Sequence, residues 1–296
     1  DEKLPFSLTD NGINAVYLDK SNNLWVGTQN GGINVANLNS KSFGYYPIGI
    51  GIPSDKVVRA VCQDKAGRVW VGTETNGLCV IDRQQGDKVS WIDKSRLINP
   101  NVRHLYCDKT GTIWVGTKGG LDRISPDGQI HHYYAGKAGS IPNPWVFWVM
   151  EDHRGDVWVA TFDGLAQYNR VTDSFRSIDP AKTLRSGNVR VIMEDYLHNL
   201  WVATEGGGVT RLQRTGKSSP EFVPKHYNHI NGKPNSLIND LVLTMCEDET
   251  HKIWIGTNSG LCRLDPKTDQ FVRFSVASGF PDDLIMGLLT DGKGHI

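Results

Sequence analysis

Short runs of apolar, often β-branched residues alternate with polar turns along the chain, and this pattern repeats about every 44 residues. Each repeat carries an aliphatic residue, Trp, a second aliphatic residue, Gly or Ala, and Thr. An Asp lies six residues before every such Trp, and a Gly with an aliphatic residue after it follows six or seven residues later. Apolar runs of this length between turn residues predict strands. The repeated residues are Trp25, Trp70, Trp114, Trp158, Trp201 and Trp254, spaced 45, 44, 44, 43 and 53 residues apart.

Each repeat predicts four short strands. In the second repeat, residues 58–62 give an apolar first strand, and the Asp and Gly of 64–67 give a turn. The second strand carries the Trp, a Gly-containing loop leads to a third strand at 78–82, and the fourth strand carries an aromatic residue, here Trp91. The corresponding aromatic residues elsewhere are Phe43, Phe175 and Phe271. Four strands in a period of about 44 residues predict a β-propeller blade, with the Trp column packed between neighbouring blades.

The predicted fold is therefore an all-β propeller of four-stranded antiparallel blades that forms a single domain over residues 1–296. Complete blades are expected at roughly 8–46, 55–92, 99–134, 143–177, 186–228 and 237–275. Residues 1–7 and 280–296 are expected to share a split blade, which makes seven. The register of Asp291 places a further Trp directly after Ile296, so we expect the natural polypeptide to continue. An eight-bladed propeller or two partial propellers is the lesser alternative.

Composition narrows the function classes. The chain has 32 Lys and Arg against 32 Asp and Glu, so its net charge of zero disfavours a general binder of nucleic acids or anionic membranes. The five cysteines have no spacing typical of a metal site, and we expect them to be buried free thiols. No cofactor and no metal are predicted from sequence motifs.

Two segments resemble a known repeat family. Residues 64–78 and 108–117 each read as Asp, a Gly turn, an aliphatic residue, Trp, Val, Gly and Thr, and they look like the two-component regulator propeller repeat. Ala160 and Ala203 depart from it, because they stand where the repeat has Gly. The resemblance implies a non-enzymatic periplasmic sensor in a bacterial hybrid two-component receptor that responds to oligosaccharides. It also implies a downstream β-sandwich and histidine kinase in the same chain, a homodimer, and no nucleic-acid contact by this piece.

Two other function classes stay open. Propeller lyases related to streptogramin lyase have similar repeats, and a lyase needs a general base and a charge stabiliser such as Mg²⁺. Polysaccharide lyases and glycan hydrolases belong to the same alternative. The nine His residues are scattered, which leaves open a catalytic or metal site assembled only in three dimensions. A protein-interaction scaffold is the third class.

The candidate ligand surface follows from aligning the repeats. The position five residues before each Asp is occupied by Asn14, Arg59, Arg103, Phe147, Arg190, Leu243 and Met286. Loops before the first strand and between the second and third strands should meet at one face of the propeller. The candidate ligand-binding residues are Asn14, Arg59, Glu74, Arg103, His104, Trp145, Trp148, Phe162, Arg190 and Glu205.

Two interpretations of these residues compete. In the first, the arginines bind carboxylate or sulfate groups and the aromatic residues stack on sugars. In the second, which is preferred, the arginines pair with Glu74, Glu205 and their neighbours, and Trp148 belongs to the core.

Overall fold

The structure, a computed structural model, describes residues 7–37, 42–46, 57–216, 221–280, 282–291 and 293–296. These residues form six four-stranded sheets, each with its strands in chain order. The first sheet comprises β1 (Ile13–Leu18), β2 (Asn23–Thr28), β3 (Ile33–Asn37) and β4 (Ser42–Tyr46). The second comprises β5 (Val58–Gln63), β6 (Val69–Thr73), β7 (Leu78–Asp82) and β8 (Lys88–Ile92). The third comprises β9 (Val102–Cys107), β10 (Ile113–Thr117), β11 (Leu121–Ile124) and β12 (Ile130–Tyr133).

The remaining sheets repeat the same up-and-down order. The fourth comprises β13 (Val146–Glu151), β14 (Val157–Thr161), β15 (Gly164–Asn169) and β16 (Ser174–Ile178). The fifth comprises β17 (Val189–Glu194), β18 (Leu200–Thr204), β19 (Gly208–Arg214) and β20 (Phe222–Tyr227). The sixth comprises β21 (Val242–Glu247), β22 (Ile253–Thr257), β23 (Gly260–Asp265) and β24 (Gln270–Phe274). One helical turn, α1 (Pro180–Thr183), lies between the fourth and fifth sheets.

The chain divides into two compact units, one of residues 1–135 with 144–149 and the other of residues 136–143 with 150–296. In the described part of the chain, no helix is long and apolar enough to cross a membrane. The five cysteines all lie in strands and are free thiols, as predicted, but only Cys62, Cys79 and Cys262 are buried, whereas Cys107 and Cys246 are half-buried.

Within a compact unit the repeated Trp packs between consecutive blades, as the sequence predicts. In the first unit, fully buried Trp25 lies in one core cluster with Val58, Val61 and Val69 of the second blade. Trp70 of the second blade packs in the same way into a cluster with residues of the third blade. Because a buried indole removes a large apolar surface from water, this column holds one blade against the next.

The Asp of each repeat fixes the indole and the turn together. In all six blades the Trp Nε1–H donates to a carboxylate oxygen of the Asp six residues earlier, over 2.7–3.0 Å. The other oxygen of Asp108 accepts the backbone N–H groups of Thr110 and Thr112 at 2.8 and 3.0 Å. A left-handed residue closes each turn, such as Gly111 with φ of 88°. One carboxylate therefore satisfies a buried indole donor and the donors of the hairpin.

The predicted seventh blade is wrong for the described residues, which form six blades. Of its two segments, residues 282–291 and 293–296 have no strand, and residues 1–6 lie outside the described part. The Ile285 side chain nevertheless packs so closely against Gly256 that it leaves no room for a Cβ there. Val58 packs against Gly27 in the same way. Ile285 thus lies at the first-strand position of a further blade.

The Asp contact of that further repeat is also present, because the backbone N–H of His295 donates to the Asp291 side chain over 3.1 Å. The described residues offer no second strand to pair with this segment, so the ladder is missing. Trp254, which a following blade would cover, is only half-buried, whereas the other five repeated Trp side chains are buried.

The Asp–Trp bond should contribute measurably to stability. We expect Asp108→Ala to lower the free energy of unfolding by about 3 kcal/mol, because it leaves the Trp114 indole and two turn N–H groups without an acceptor. Asp127→Ala is the matched control, since Asp127 is exposed and accepts one turn N–H from Gln129. Urea unfolding measures both, and equal losses in the two variants would contradict the account.

Candidate functional site

Two loops of a blade meet at one end. In five of the blades, the residue after the second strand donates its backbone N–H to the residue before the first strand. In the first unit the backbone N–H of Glu74 donates to the carbonyl of Val57 over 3.1 Å, and that of Lys118 donates to the carbonyl of Asn101 over 3.2 Å. In the second unit the backbone N–H of Glu205 donates to the carbonyl of Asn188 over 2.9 Å. We call this end of a blade the loop face. The end that carries the Asp turns is the turn face.

The aligned position of the sequence analysis is a β-bulge in the first strand. Val58 pairs with Thr73 and Ala60 pairs with Gly72, so Arg59 is an extra residue with no partner across the ladder. The same shift in register occurs at four further positions, which are Asn14, Arg103, Arg190 and Leu243. A bulge re-aims its side chain, and bulges are common beside functional sites.

An ion pair occupies the loop face of the first unit. Arg59 donates to Glu74 over 2.8 Å, and both side chains are about one quarter exposed. The hydrogen bond from Arg59, with the nearby charge of Arg103 and a bond from the Asn101 side chain, holds the pKa of Glu74 below its usual value although burial opposes the shift. Among the described residues, the buried Nε of Arg59 has no hydrogen-bond partner.

The second unit carries an equivalent pair. Both Nε and a terminal nitrogen of Arg190 donate to Glu205, with the Nε contact at 2.8 Å. The Asn188 side chain donates to the same carboxylate over 2.8 Å. In both units a bulge arginine is thus paired with the acidic residue that begins the neighbouring loop, as the pairing interpretation expects.

An aromatic platform lies at the loop face of the first unit, formed by Trp145, Phe147 and Lys118. Trp145 is 43% exposed. The Lys118 ammonium lies 5.5 Å from the Trp145 ring centroid, and the Phe147 ring meets Trp145 edge-on at 6.5 Å. A cation–π contact and an edge-on aromatic contact hold the exposed indole in one orientation.

His104 is neutral and lacks a free basic nitrogen. Its ring lies 4.1 Å from that of Trp148, and its Nδ1 accepts the backbone N–H of Val149 over 3.1 Å. Since that N–H can only donate, the remaining proton is assigned to Nε2. Burial lowers the pKa of His104 to about 3. His104 is therefore not arranged as a general base.

The structure gathers part of the predicted site in each unit. It places Arg59, Glu74 and Arg103 together in the first unit, and it places Arg190 beside Glu205 in the second. Phe162, in the β14–β15 loop of the second unit, is 46% exposed. The amide side chains of Asn101 and Asn188 join these clusters, although sequence reasoning did not select them.

Sequence reasoning also missed a cluster on the turn face of the second unit. His153, Glu194 and His198 place one potential metal-ligand atom each within 4.8 Å of one another. Their spacing along the chain matches no metal motif. The signal was present in the repeat register, because all three lie within three residues of the Asp of their own repeats.

Five segments of the chain match the family model described as the two component regulator propeller: residues 7–30, 51–75, 96–119, 140–163 and 236–259. Among curated proteins, Histidine kinase P4 of Formosa agariphila is 36% identical over 81 residues. That match covers 25% of this chain and 6% of the kinase.

Two solved structures share the fold. Virginiamycin B lyase from Staphylococcus aureus superposes with a TM-score of 0.68 at 16% identity, over 92% of this chain and 87% of the lyase. The extracellular domain of the putative hybrid two component system BT4673 from B. thetaiotaomicron gives a TM-score of 0.54 at 21% identity, over 89% of this chain and 41% of that one. At these identities the likenesses establish a common propeller fold and no shared activity.

The Arg59–Glu74 pair should couple stability to pH. The pKa of Glu74 is lower in the folded protein than in the unfolded chain, so the pair stabilises the fold above about pH 4.3 and loses this effect as the pH falls through the folded-state value. A double-mutant cycle of Glu74→Gln and Arg59→Ala, read by urea unfolding, should give about 1 kcal/mol of coupling at neutral pH after allowance for solvent screening. A coupling that persists unchanged at about pH 2, well below the ordinary carboxyl pKa, would contradict this assignment.

Proposed function

We propose that the chain is the extracytoplasmic sensor propeller of a bacterial two-component receptor, and that its loop face binds an oligosaccharide. The observation that carries the proposal is the first-strand bulge, which recurs at the loop-face end of blades in both units. At the same blade position, the five bulges carry three types of side chain, asparagine, arginine and leucine, in Asn14, Arg59, Arg103, Arg190 and Leu243. Varied side chains on a repeated scaffold are typical of a recognition surface.

The platform of Trp145, Phe147 and Lys118 supplies the first half of the recognition chemistry. An exposed indole face can pack against the C–H face of a sugar ring, and its fixed orientation lowers the entropy lost on binding. This pairing needs no charge on the sugar. The platform therefore suits neutral and acidic oligosaccharides alike.

The Arg59–Glu74 pair, with Asn101 beside it, supplies the second half. It offers guanidinium and amide donors together with a carboxylate acceptor, which match the hydroxyl groups of a sugar. Because Glu74 already neutralises Arg59, a carboxylate or sulfate on the ligand would have to displace Glu74 or use Arg103. Acidic oligosaccharides are thus one arm of the test rather than a requirement.

The receptor context rests on the repeat family and on the named relatives. A match to a histidine kinase and a fold shared with a hybrid two-component extracellular domain support a sensor that works outside the cytoplasm, in the periplasm. A downstream β-sandwich and kinase in the same polypeptide, and a homodimer, complete the proposal. Ligand-dependent repositioning of a rigid propeller would carry the signal.

Binding can be measured by thermal shift against neutral and acidic oligosaccharides. A ligand at a hundredfold excess over its dissociation constant adds about 2.7 kcal/mol to the stability of the folded state. We expect Trp145→Ala, and the double variant Arg59→Ala with Arg103→Ala, to fold and to lose the shift. Tyr196→Ala, which removes an aromatic residue from the turn face, is the matched control and should retain it. No shift with any oligosaccharide, or equal loss in the control, would overturn the proposed site.

A lyase is the second candidate, because the S. aureus lyase matches nearly its whole length to this chain. His104, the histidine among the candidate ligand-binding residues, is not available as its general base, since the Nδ1 lone pair is already used. Turnover of a glycan to an unsaturated product that depends on a divalent ion would favour the lyase. We expect no such product.

A further inference from the structure

A cluster of three metal-binding side chains lies on the turn face of the second unit, away from the loop face of its blades. His153 belongs to the β13–β14 turn, Glu194 ends β17, and His198 belongs to the β17–β18 turn. Nδ1 of His153 lies 2.5 Å from Oε1 of Glu194, and Nδ1 of His198 lies 3.8 Å from the same oxygen. We propose that these three side chains form a binding site for a divalent transition-metal ion, with Zn²⁺ as the reference metal, that bridges two consecutive blades.

The geometry suits a metal of this class. Zinc binds imidazole nitrogen and carboxylate oxygen at about 2.0–2.2 Å, so tetrahedral ligands stand about 3.4 Å apart. The 2.5 and 3.8 Å separations lie on either side of this value, and small side-chain rotations close the difference. Two imidazoles and one carboxylate favour zinc and its neighbours over Ca²⁺ or Mg²⁺, which prefer oxygen ligands. A neutral His153 that binds the ion through Nδ1 carries its proton on Nε2.

The backbone prepares the three side chains. The second carboxylate oxygen of Glu194 accepts the backbone N–H of His153 over 2.8 Å, which leaves Oε1 for a ligand. His198 has φ of 64°, in the left-handed region where the second and third blades have Gly67 and Gly111. This conformation directs the His198 ring onto that of His153, with centroids 3.7 Å apart. Metal ligands held by such supporting contacts lose less entropy on binding.

The site is open to solvent, and few positively charged side chains beside it would repel a metal ion. It borders a cleft of about 510 Å³, so an ion and its waters have access. Two arginines, Arg154 and Arg214, line the same cleft. Arg214 is paired with Asp152 and lies 3.6 Å from Glu221, so Arg154 is the cation that a bound metal ion would face.

The next pair of blades supplies an internal control. Tyr196, Glu247 and His251 occupy the positions of His153, Glu194 and His198, with the rings stacked at 3.7 Å and His251 bonded to Glu247 over 3.0 Å. The two arrangements share their backbone geometry, and the difference is a phenol in place of an imidazole. The stacked rings and the glutamate bonds therefore link consecutive blades in both pairs. Among the described residues, three side chains that could bind a metal meet only in the pair that holds His153.

Variants that copy residues at the same position of other repeats distinguish a metal site from a contact that only links two blades. His153→Tyr copies Tyr196 and keeps the ring stack, and His198→Asn copies Asn22, which has φ of 59° at the same position of the first blade. His251→Asn is the matched control. Untagged, chelator-stripped protein would be titrated with Zn²⁺ by calorimetry, and melting would be followed with and without the metal.

We expect the wild type to bind one Zn²⁺ per chain and to melt at a higher temperature when it is bound. His153→Tyr and His198→Asn should fold without metal, weaken binding at least about tenfold and lose the rise in melting temperature. His251→Asn should behave as the wild type. The proposal is overturned if the wild type binds no Zn²⁺, if His153→Tyr binds it as tightly, or if His251→Asn weakens binding as much as His198→Asn does.

Discussion

The hydrogen bond between each repeated Trp and the Asp six residues before it is the interaction on which this fold depends. A large indole is needed to fill the gap between consecutive blades, yet its N–H cannot be buried without an acceptor. The Asp supplies that acceptor and uses its other oxygen to order the hairpin turn. One residue therefore stabilises both the packing of the indole and the connection between two strands. At Asp19, burial raises the pKa, but bonds from Trp25 and Asn23 outweigh it and keep the carboxylate ionised at neutral pH. The carboxylate form is the one that can accept all of these donors.

Much of this arrangement was predictable from sequence because one solution is repeated. The Trp and Asp registers gave the strands, their order and the wedge packing, and the alignment of repeats identified the position that proves to be the bulge. The seventh blade was not correctly predicted, because a register match at Ile285 and Asp291 does not supply a paired second strand. The sequence did not decide between ion pairing and ligand binding at the loop face, since spacing alone does not tell whether Arg59 bonds to Glu74 or to a ligand. His153 and His198 are 45 residues apart along the chain, with Glu194 between them. The three side chains can be recognised as a cluster only when consecutive blades are placed side by side.

The two faces of a blade have different demands on sequence. At the turn face each repeat must keep its Asp, its left-handed turn residue and the contacts that link it to the next blade. At the loop face the bulge carries no ladder bond, so its side chain can change from Asn to Arg to Leu without loss of pairing. This freedom explains how a repeated scaffold can present an irregular surface of arginines, acids and an exposed indole. The proposed sensor site uses the loop face of blades in the first unit, and the proposed metal site uses the turn face of blades in the second unit.

The most direct test of a ligand site at the loop face is hydrogen–deuterium exchange with and without a pool of oligosaccharides. The account predicts slower exchange on ligand addition in peptides that cover residues 57–60, 101–104 and 144–149, which hold the bulges and the aromatic platform. Peptides that cover the Asp turns at 64–68 and 108–112 should exchange at the same rate in both samples. Protection confined to the Asp turns, or no protection in any peptide, would contradict the central claim.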